Sequence, residues 1–302
     1  MGKSAVALLL AERLGGELIS VDSMQVYRGL DLGTAKPTLA ERNKVAHHLI
    51  DVVDLTGSFD AGQFVELARV AHKEILARGK IPIFCGGTGL YFKAFLEGLG
   101  GSPPADHRLR ATLLETPLPL LLEELKNRDP QLHSQIDVRN PRRVVRALEV
   151  LRLTGKPYSE QRAVWRAKPD RIPGRAVSSG QRTLFFGFDR SSGELHERIE
   201  ERVDAMFERG LVAETERLLT QGLANNPTAM QAIGYRQAVE YLRGQRTLPE
   251  TVSLLKQRTR HLAKRQRTWL RRQCEMEWIG LNTEQNPETV ADGLIARIER
   301  AS

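Results

Sequence analysis

The sequence predicts an α/β fold: a parallel sheet flanked by helices and interrupted by an all-helical insertion. Three observations carry this. Gly2-Lys3-Ser4 opens a stretch, Ser4 to Leu14, with apolar residues at helical spacing, and Glu17-Leu18-Ile19-Ser20-Val21 follows as a short buried strand ending in Asp22. Ile81-Pro82-Ile83-Phe84-Cys85 repeats the pattern, turning through Gly86-Gly87-Thr88 into a helix from Leu90 to Glu97. From Asp106 to Thr154, by contrast, nothing reads as a strand. Strands alternating with helices imply parallel pairing, since each crossover helix carries the chain back to the same end of the sheet.

Each element has a local cause. Gly2-Lys3-Ser4 matches the end of the phosphate-binding pattern G-x-x-x-x-G-K-[ST], which lies between a strand and a helix and makes the predicted sheet P-loop NTPase-like. Backbone N–H groups at such a helix start hold phosphate, Lys3 adds a point charge and Ser4 can ligate magnesium. A plain N-cap at Ser4 explains the same three residues. The first glycine, the loop body and the preceding strand of the full pattern do not occur, and Met1 stands at the last variable loop position. The expectation is that the coding sequence continues upstream, in frame, with a strand and a Gly-Pro-Thr-Ala-like loop.

Met24 to Pro37 reads as a loop at the carboxyl edge of the sheet, where ligands of open α/β sheets bind. Adjacent His47 and His48 point apart and are read as structural. Asp60 caps a helix over 61–77, stopped by Gly79. A Gly/Pro hinge, Gly98 to Pro104, then precedes helices over 106–114, 118–126 and 141–153, the last announced by Asn140-Pro141. Residues 165–181 have a loop's composition, and Leu184 to Asp189 returns as a strand. Helices follow over 194–209, 212–221, 230–243 and 249–273, then a strand at 277–279 and a closing helix at 287–301. The chain thus divides into a core, 1–104 with 176–302, and an insertion, 105–175.

Charge is unevenly spread. Residues 1–102 hold 11 basic and 11 acidic residues, so the whole excess of +8 lies beyond them. A neutral part beside a basic part suits a polyanion lying across the second, although a charge run is often only a solvated face. The predicted helix over 249–273 carries Lys256, Arg258, Arg260, Lys264, Arg265, Arg267, Arg271 and Arg272 with no acid between Leu254 and Gln273. Cys85 and Cys274 are too few for a disulfide framework or a zinc site. No apolar run approaches the roughly 20 residues of a membrane span, and no signal-peptide pattern opens the chain, so a cytoplasmic location is expected.

The stretch Asp22-Ser23-Met24-Gln25-Val26-Tyr27-Arg28-Gly29-Leu30-Asp31-Leu32-Gly33-Thr34-Ala35-Lys36-Pro37 resembles the signature of bacterial tRNA dimethylallyltransferases. Four further blocks agree, in family order: Gly86 to Tyr91, Arg142 to Glu149, Ala232 to Gln237, and Ala263 to Trp269. The resemblance implies transfer of a dimethylallyl group from dimethylallyl diphosphate to N6 of the adenosine just 3′ of the anticodon. It implies Gly2, Lys3 and Ser4 as the diphosphate site, with magnesium on Ser4, and Arg236 as a further diphosphate contact. It also implies a tRNA surface made of Asp22, Ser23, Met24, Gln25, Thr88, Arg110, Arg142, Arg143, Val144, Val145, Arg146, Gln231, Tyr235 and Arg236. The partner is the anticodon stem-loop, and the protein is expected to be a monomer.

Asp22 carries the chemistry in two readings. The exocyclic amine of adenine is a weak nucleophile, and a carboxylate that accepts its proton localises the lone pair toward the prenyl carbon. An Asp at a strand end beside a phosphate loop also suits a magnesium ligand; the resemblance favours the base. Two other functions compete with prenyl transfer. A small-molecule kinase accounts for Gly2-Lys3-Ser4 and Asp22 but not for the helical insertion and basic second half. A non-catalytic RNA-binding protein accounts for the basic half and for the partial phosphate loop.

Overall fold

Alanine, leucine and valine fill Lys3–Leu14, and Gly15 stops that helix: its φ of 63° lets its N–H close onto the Ala11 carbonyl. In this computed structural model the structure describes residues 2–163, 183–282 and 285–301. The chain forms two compact units, Met1–Leu96 with Arg166–Ser302, and Glu97–Trp165. The predicted loop over 165–181 lies outside the described residues.

In the larger unit, β1 (Gly16–Val21) is buried along its whole length. It pairs in parallel with β2 (His47–His48) on one side and β3 (Ile81–Gly86) on the other, with Leu18 opposite both His47 and Ile83. Gly16 and Gly86 permit that close pairing, because a Cβ at Gly86 would lie 2.1 Å from the Val21 carbonyl oxygen. β4 (Phe186–Arg190) and β5 (Glu277–Leu281) form a second parallel pair. Among the described residues, the single sheet expected from the sequence is therefore two parallel sheets, of three and two strands. They share one core: Val6 and Leu10 of the first helix pack with Leu281 and Leu294, against Ile83 of β3 and Phe186 and Phe188 of β4. Between β3 and β4 lies an apolar cavity of about 890 Å³.

The remaining helices of this unit follow the predicted pattern except at two places: Leu39–Lys44, started by a capping box of Thr38 and Glu41, is a helix the sequence reading did not include, and residues 230–243 are broken. The helix expected over 230–243 is a short 3-10 turn, Ala229–Gln231, then Tyr235–Leu242. Gly234 separates them with φ 110°, a conformation no helix contains. The 26-residue helix Leu248–Gln273 starts from a capping box of Thr247 and Glu250, and Pro249 sits in its first turn, where no N–H is needed.

The smaller unit is helical among its described residues, with its longest segments His107–Glu115, Leu118–Arg128 and Pro141–Thr154. Its core is Leu113, Leu121, Leu125, Leu132, Val144, Val145, Ala147 and Leu148. Asn140 takes the N-cap position as expected, but its side chain makes no capping bond.

Candidate functional site

The carboxyl ends of β1 and β3 are laced together by the turns that follow them. The Val21 carbonyl accepts from the N–H groups of Gly87 and Thr88, both at 3.1 Å. In return the Thr88 hydroxyl accepts from the Ser23 N–H at 3.1 Å, which sets Thr88 beside Asp22. Asp22 is fixed by its own turn: Oδ1 accepts from the backbone of Met24 at 2.9 Å and Gln25 at 3.3 Å.

The phosphate-loop remnant reaches the same edge. Gly2 precedes the first helix with φ 78°, a left-handed conformation that favours glycine. Cys85, near the end of β3, donates weakly from its thiol to the Lys3 carbonyl at 3.9 Å. Burial raises the pKa of that thiol; Lys3 and a hydrogen bond with Ser4 oppose the rise, and the Asp22 charge adds to it. Lys3, Ser4 and Asp22 thus all act on one thiol, whose raised pKa keeps it from being a nucleophile.

A second cation acts on Asp22. Arg202, on the helix Ser192–Glu208, has its pKa lowered by desolvation and supported by the Asp22 carboxylate. Nothing in the sequence separates Arg202 from Arg198 or Arg209, its helical neighbours. Only a partner far away in sequence singles it out.

The loop after Asp22 is braced from below. Ser20 donates to Gln25 Oε1 at 2.9 Å, and Gln25 Nε2 donates to the carbonyls of Thr34 and Ala35 at 3.1 and 3.3 Å. Both ends of the Gln25 side chain are therefore engaged inside the loop. Gly33 donates its N–H to the Tyr235 hydroxyl at 3.1 Å, and that hydroxyl donates to Glu214 at 2.5 Å. Glu214 also accepts from the Leu32 N–H at 3.0 Å. A Cβ at Gly33 would lie 2.5 Å from the Tyr235 ring, so the loop rests on the ring itself. Burial, then the Glu214 carboxylate, push the Tyr235 hydroxyl pKa far up, so it remains a donor.

Several residues expected at an RNA surface do other things. Tyr235 is fully buried, so its side chain supports the loop instead of meeting RNA. Val144 and Val145 are buried in the helical unit's core, which withdraws their side chains from any surface. Arg110 and Arg146 converge on Glu149, which is itself fully buried: Arg110 Nε lies 2.8 Å and Arg146 Nη1 2.5 Å from its carboxylate. Arg146 also donates to the Pro103 carbonyl at 2.6 Å. A buried carboxylate needs such partners, and these two arginines are committed to it. Arg142, Arg143, Gln231 and Arg236 are exposed. Arg236 leans on Glu240, one helical turn on, at 3.1 Å. Met24 is half-buried at the edge of the Asp22 turn.

The basic helix sorts its charges. Lys256 pairs with Asp204, Arg260 with Glu200, and Arg267 and Arg271 with Asp189. Arg258, Lys264, Arg265 and Arg272 are exposed. Arg258, Arg265 and Arg272 recur every seven residues, so they form one stripe with steps of about 10.5 Å. No helix among the described residues is long and apolar enough to cross a membrane.

A family model described as IPP transferase matches residues 25–273. A tRNA dimethylallyltransferase of Pelotomaculum thermopropionicum is 40% identical over 96% of this chain and 90% of its own length. The crystal structure of a tRNA isopentenylpyrophosphate transferase from Bacillus halodurans superimposes with a TM-score of 0.67 at 36% identity, covering 99% of this chain and 93% of that one. A eukaryotic dimethylallyltransferase, solved acting on tRNA, gives a TM-score of 0.76 at 26% identity over 99% of this chain and 76% of its own. With a family match across most of its length and relatives this similar end to end, the chain belongs to the IPP transferase family.

Proposed function

We propose that this protein transfers the dimethylallyl group of dimethylallyl diphosphate to N6 of the adenosine 3′-adjacent to the anticodon in tRNA, releasing diphosphate. The observation that carries the reading is the sheet edge where Asp22, fixed by its own turn and tied through Ser23 to Thr88, meets the start of Lys3–Leu14 beside Cys85, in a chain whose relatives are named for this activity. The C–O bond to diphosphate breaks, the bond from the same carbon to N6 forms, and one N6 proton leaves. Lys3, Arg202 and the N–H groups at the start of Lys3–Leu14 stabilise the departing diphosphate. Asp22, aimed by the Met24 and Gln25 N–H groups, takes the proton, and Thr88 holds the turn beside it.

Magnesium fits this donor set. It is a hard cation that binds through one or two protein oxygens plus phosphate oxygens, and the Ser4 hydroxyl, in the first turn of Lys3–Leu14, is such an oxygen. When bound, it supplies charge neutralisation to the diphosphate. The adenosine must leave its loop stack to reach Asp22, and unpaired loop bases are the ones proteins read in this way. The exposed cations Arg142, Arg143 and Arg236 and the stripe Arg258, Arg265, Arg272 supply phosphate contacts. Gln231 and Ser23 supply polar ones. The test is diphosphate release measured with tRNA, with free AMP and with neither. Release that needs tRNA supports the reading; equal release with AMP contradicts it.

A further inference from the structure

The turn that carries Thr88 contains three glycines, Gly86, Gly87 and Gly89, and none of them adopts a left-handed φ. Other residues hold such backbone conformations without strain, so conformation alone does not call for glycine. Space does. A Cβ at Gly86 would lie 2.1 Å from the Val21 carbonyl oxygen, one at Gly87 2.4 Å from Gln266 Nε2, and one at Gly89 2.1 Å from Trp269 Cε3. The first contact belongs to strand pairing. The other two come from one helix, Leu248–Gln273, on which positions 266 and 269 are neighbours one turn apart.

The two contacts differ in stiffness. The Gln266 carboxamide is the end of a flexible side chain and can swing away from an added methyl group. The Trp269 indole is a rigid plate, and its Cε3 and Cζ3 would stand 2.1 and 2.2 Å from that Cβ, so the ring rests on the Gly89 backbone itself. Short links lead from there to the chemistry. Gly89 opens the helix Gly89–Glu97 directly after Thr88, and the Thr88 carbonyl accepts from the Tyr91 N–H at 2.9 Å, so the turn and the helix start move as one. The Thr88 hydroxyl accepts from the Ser23 N–H at 3.1 Å, and Ser23 adjoins Asp22.

We propose that Trp269 is a positioning residue for prenyl transfer: its ring seats the Gly87-Thr88-Gly89 turn and, through Thr88 and Ser23, holds the Asp22 turn in place. Gln266 closes the same seat over Gly87. The block Ala263 to Trp269 thereby has a task besides phosphate contact. Arg265 and Arg272 stand four residues before and three residues after Trp269, beside it on the helix surface. One rigid helix therefore carries both the exposed cations offered to RNA phosphates and the seat of the turn beside Asp22, which fixes the distance between them. The effect on rate rests on the reaction proposed above; the seat itself rests on the contacts alone.

The test uses Trp269→Leu, Gly89→Ala and the two together. Alanine forms helix better than glycine and has fewer unfolded conformations, so Gly89→Ala stabilises the protein wherever a methyl group has room. With Trp269 in place it should lower the thermal midpoint; in the Trp269→Leu background it should raise the midpoint by about 2 °C. Exchange of the Ser23 amide should quicken on the order of 100-fold in each single variant, while Ile19 in the middle of β1 is unchanged. Single-turnover rates at saturating substrates, measured well below the midpoint, should fall about 30-fold in each single variant with tRNA affinity within about twofold. The double variant should be about 10-fold faster than Gly89→Ala alone. Additive losses in the double variant, a midpoint raised by Gly89→Ala with Trp269 present, or unchanged rates in both single variants would overturn the proposal. If the unsubstituted protein prenylates no RNA, the reaction reading fails by itself, and the midpoint and exchange comparisons still decide for or against the seat.

Discussion

At the scale of single residues, Asp22 is the most exposed to test. Asp22→Asn keeps the shape and an acceptor oxygen for the Met24 and Gln25 N–H groups but removes the charge and the capacity to take a proton. The single-turnover rate should fall roughly 100-fold or more with little change in tRNA affinity. A magnesium ligand would instead lose diphosphate affinity and recover with added magnesium. Glu17 gives a second prediction. Burial raises its pKa, but hydrogen bonds from Arg78, His48 and Lys80 win and hold it at about 2, against 4.5. A folded-state pKa below the unfolded one stabilises the protein above about pH 4.5, and that contribution fades as the pH falls toward 2. Arg78 and Lys80 are half-exposed, so the contribution is about 2 kcal/mol. Glu17→Gln should shrink the difference in urea stability between pH 6 and pH 3 by much of that amount. Asp22, Lys3 and Thr88 were legible in the sequence because motif, strand end and turn are neighbours along the chain. Arg202 was not, because what defines it is a partner many residues away, and Glu149 was not, because its burial and its pairing with Arg110 are long-range.

At the scale of elements, the loop from Asp22 to Lys36 hangs on one tyrosine. The Tyr235 hydroxyl ties Gly33 to Glu214, and Gln25 ties Thr34 back to the Asp22 turn. Tyr235→Phe keeps the ring under Gly33 and frees one N–H and one carboxylate oxygen. Stability should drop by about 1 kcal/mol, while kcat/KM for tRNA should drop about 10-fold through misplacement of the loop. A proportionate loss of both, restored by neither cooling nor stabilising osmolyte, would assign Tyr235 to the core alone. Family blocks alone placed Tyr235, Val144 and Val145 at an RNA surface, because a motif records that a residue matters without saying which way its side chain points. The helix expected over 230–243 failed at Gly234 for a related reason. Periodicity tolerates a single glycine, and only the backbone reveals the φ of 110° that breaks it.

At the scale of the molecule, strand and helix identities were readable from periodicity, but the division of the sheet was not. Pairing is a relation between distant segments, and Ile81 to Cys85 reads the same whether one edge or both are paired. Charge distribution is the other global property. Half of the eight cations between Leu254 and Gln273 neutralise acids of this unit, which leaves Arg258, Lys264, Arg265 and Arg272 for a polyanion. Replacing Arg258, Arg265 and Arg272 by glutamine should lower the slope of log affinity for tRNA against log salt by about 2 to 3, with dimethylallyl diphosphate binding unchanged. Equal loss of both ligands would make the stripe a folding element. The account stands or falls on the acceptor. The most direct measurement incubates the protein, dimethylallyl diphosphate and magnesium with two anticodon stem-loops that differ only at the base 3′ of the anticodon, adenosine or guanosine, and follows the RNA by mass spectrometry. The account predicts one dimethylallyl group on the adenosine stem-loop, located at N6, and none on the guanosine one. Modification of both, or prenylation of free AMP with neither RNA modified, would contradict it.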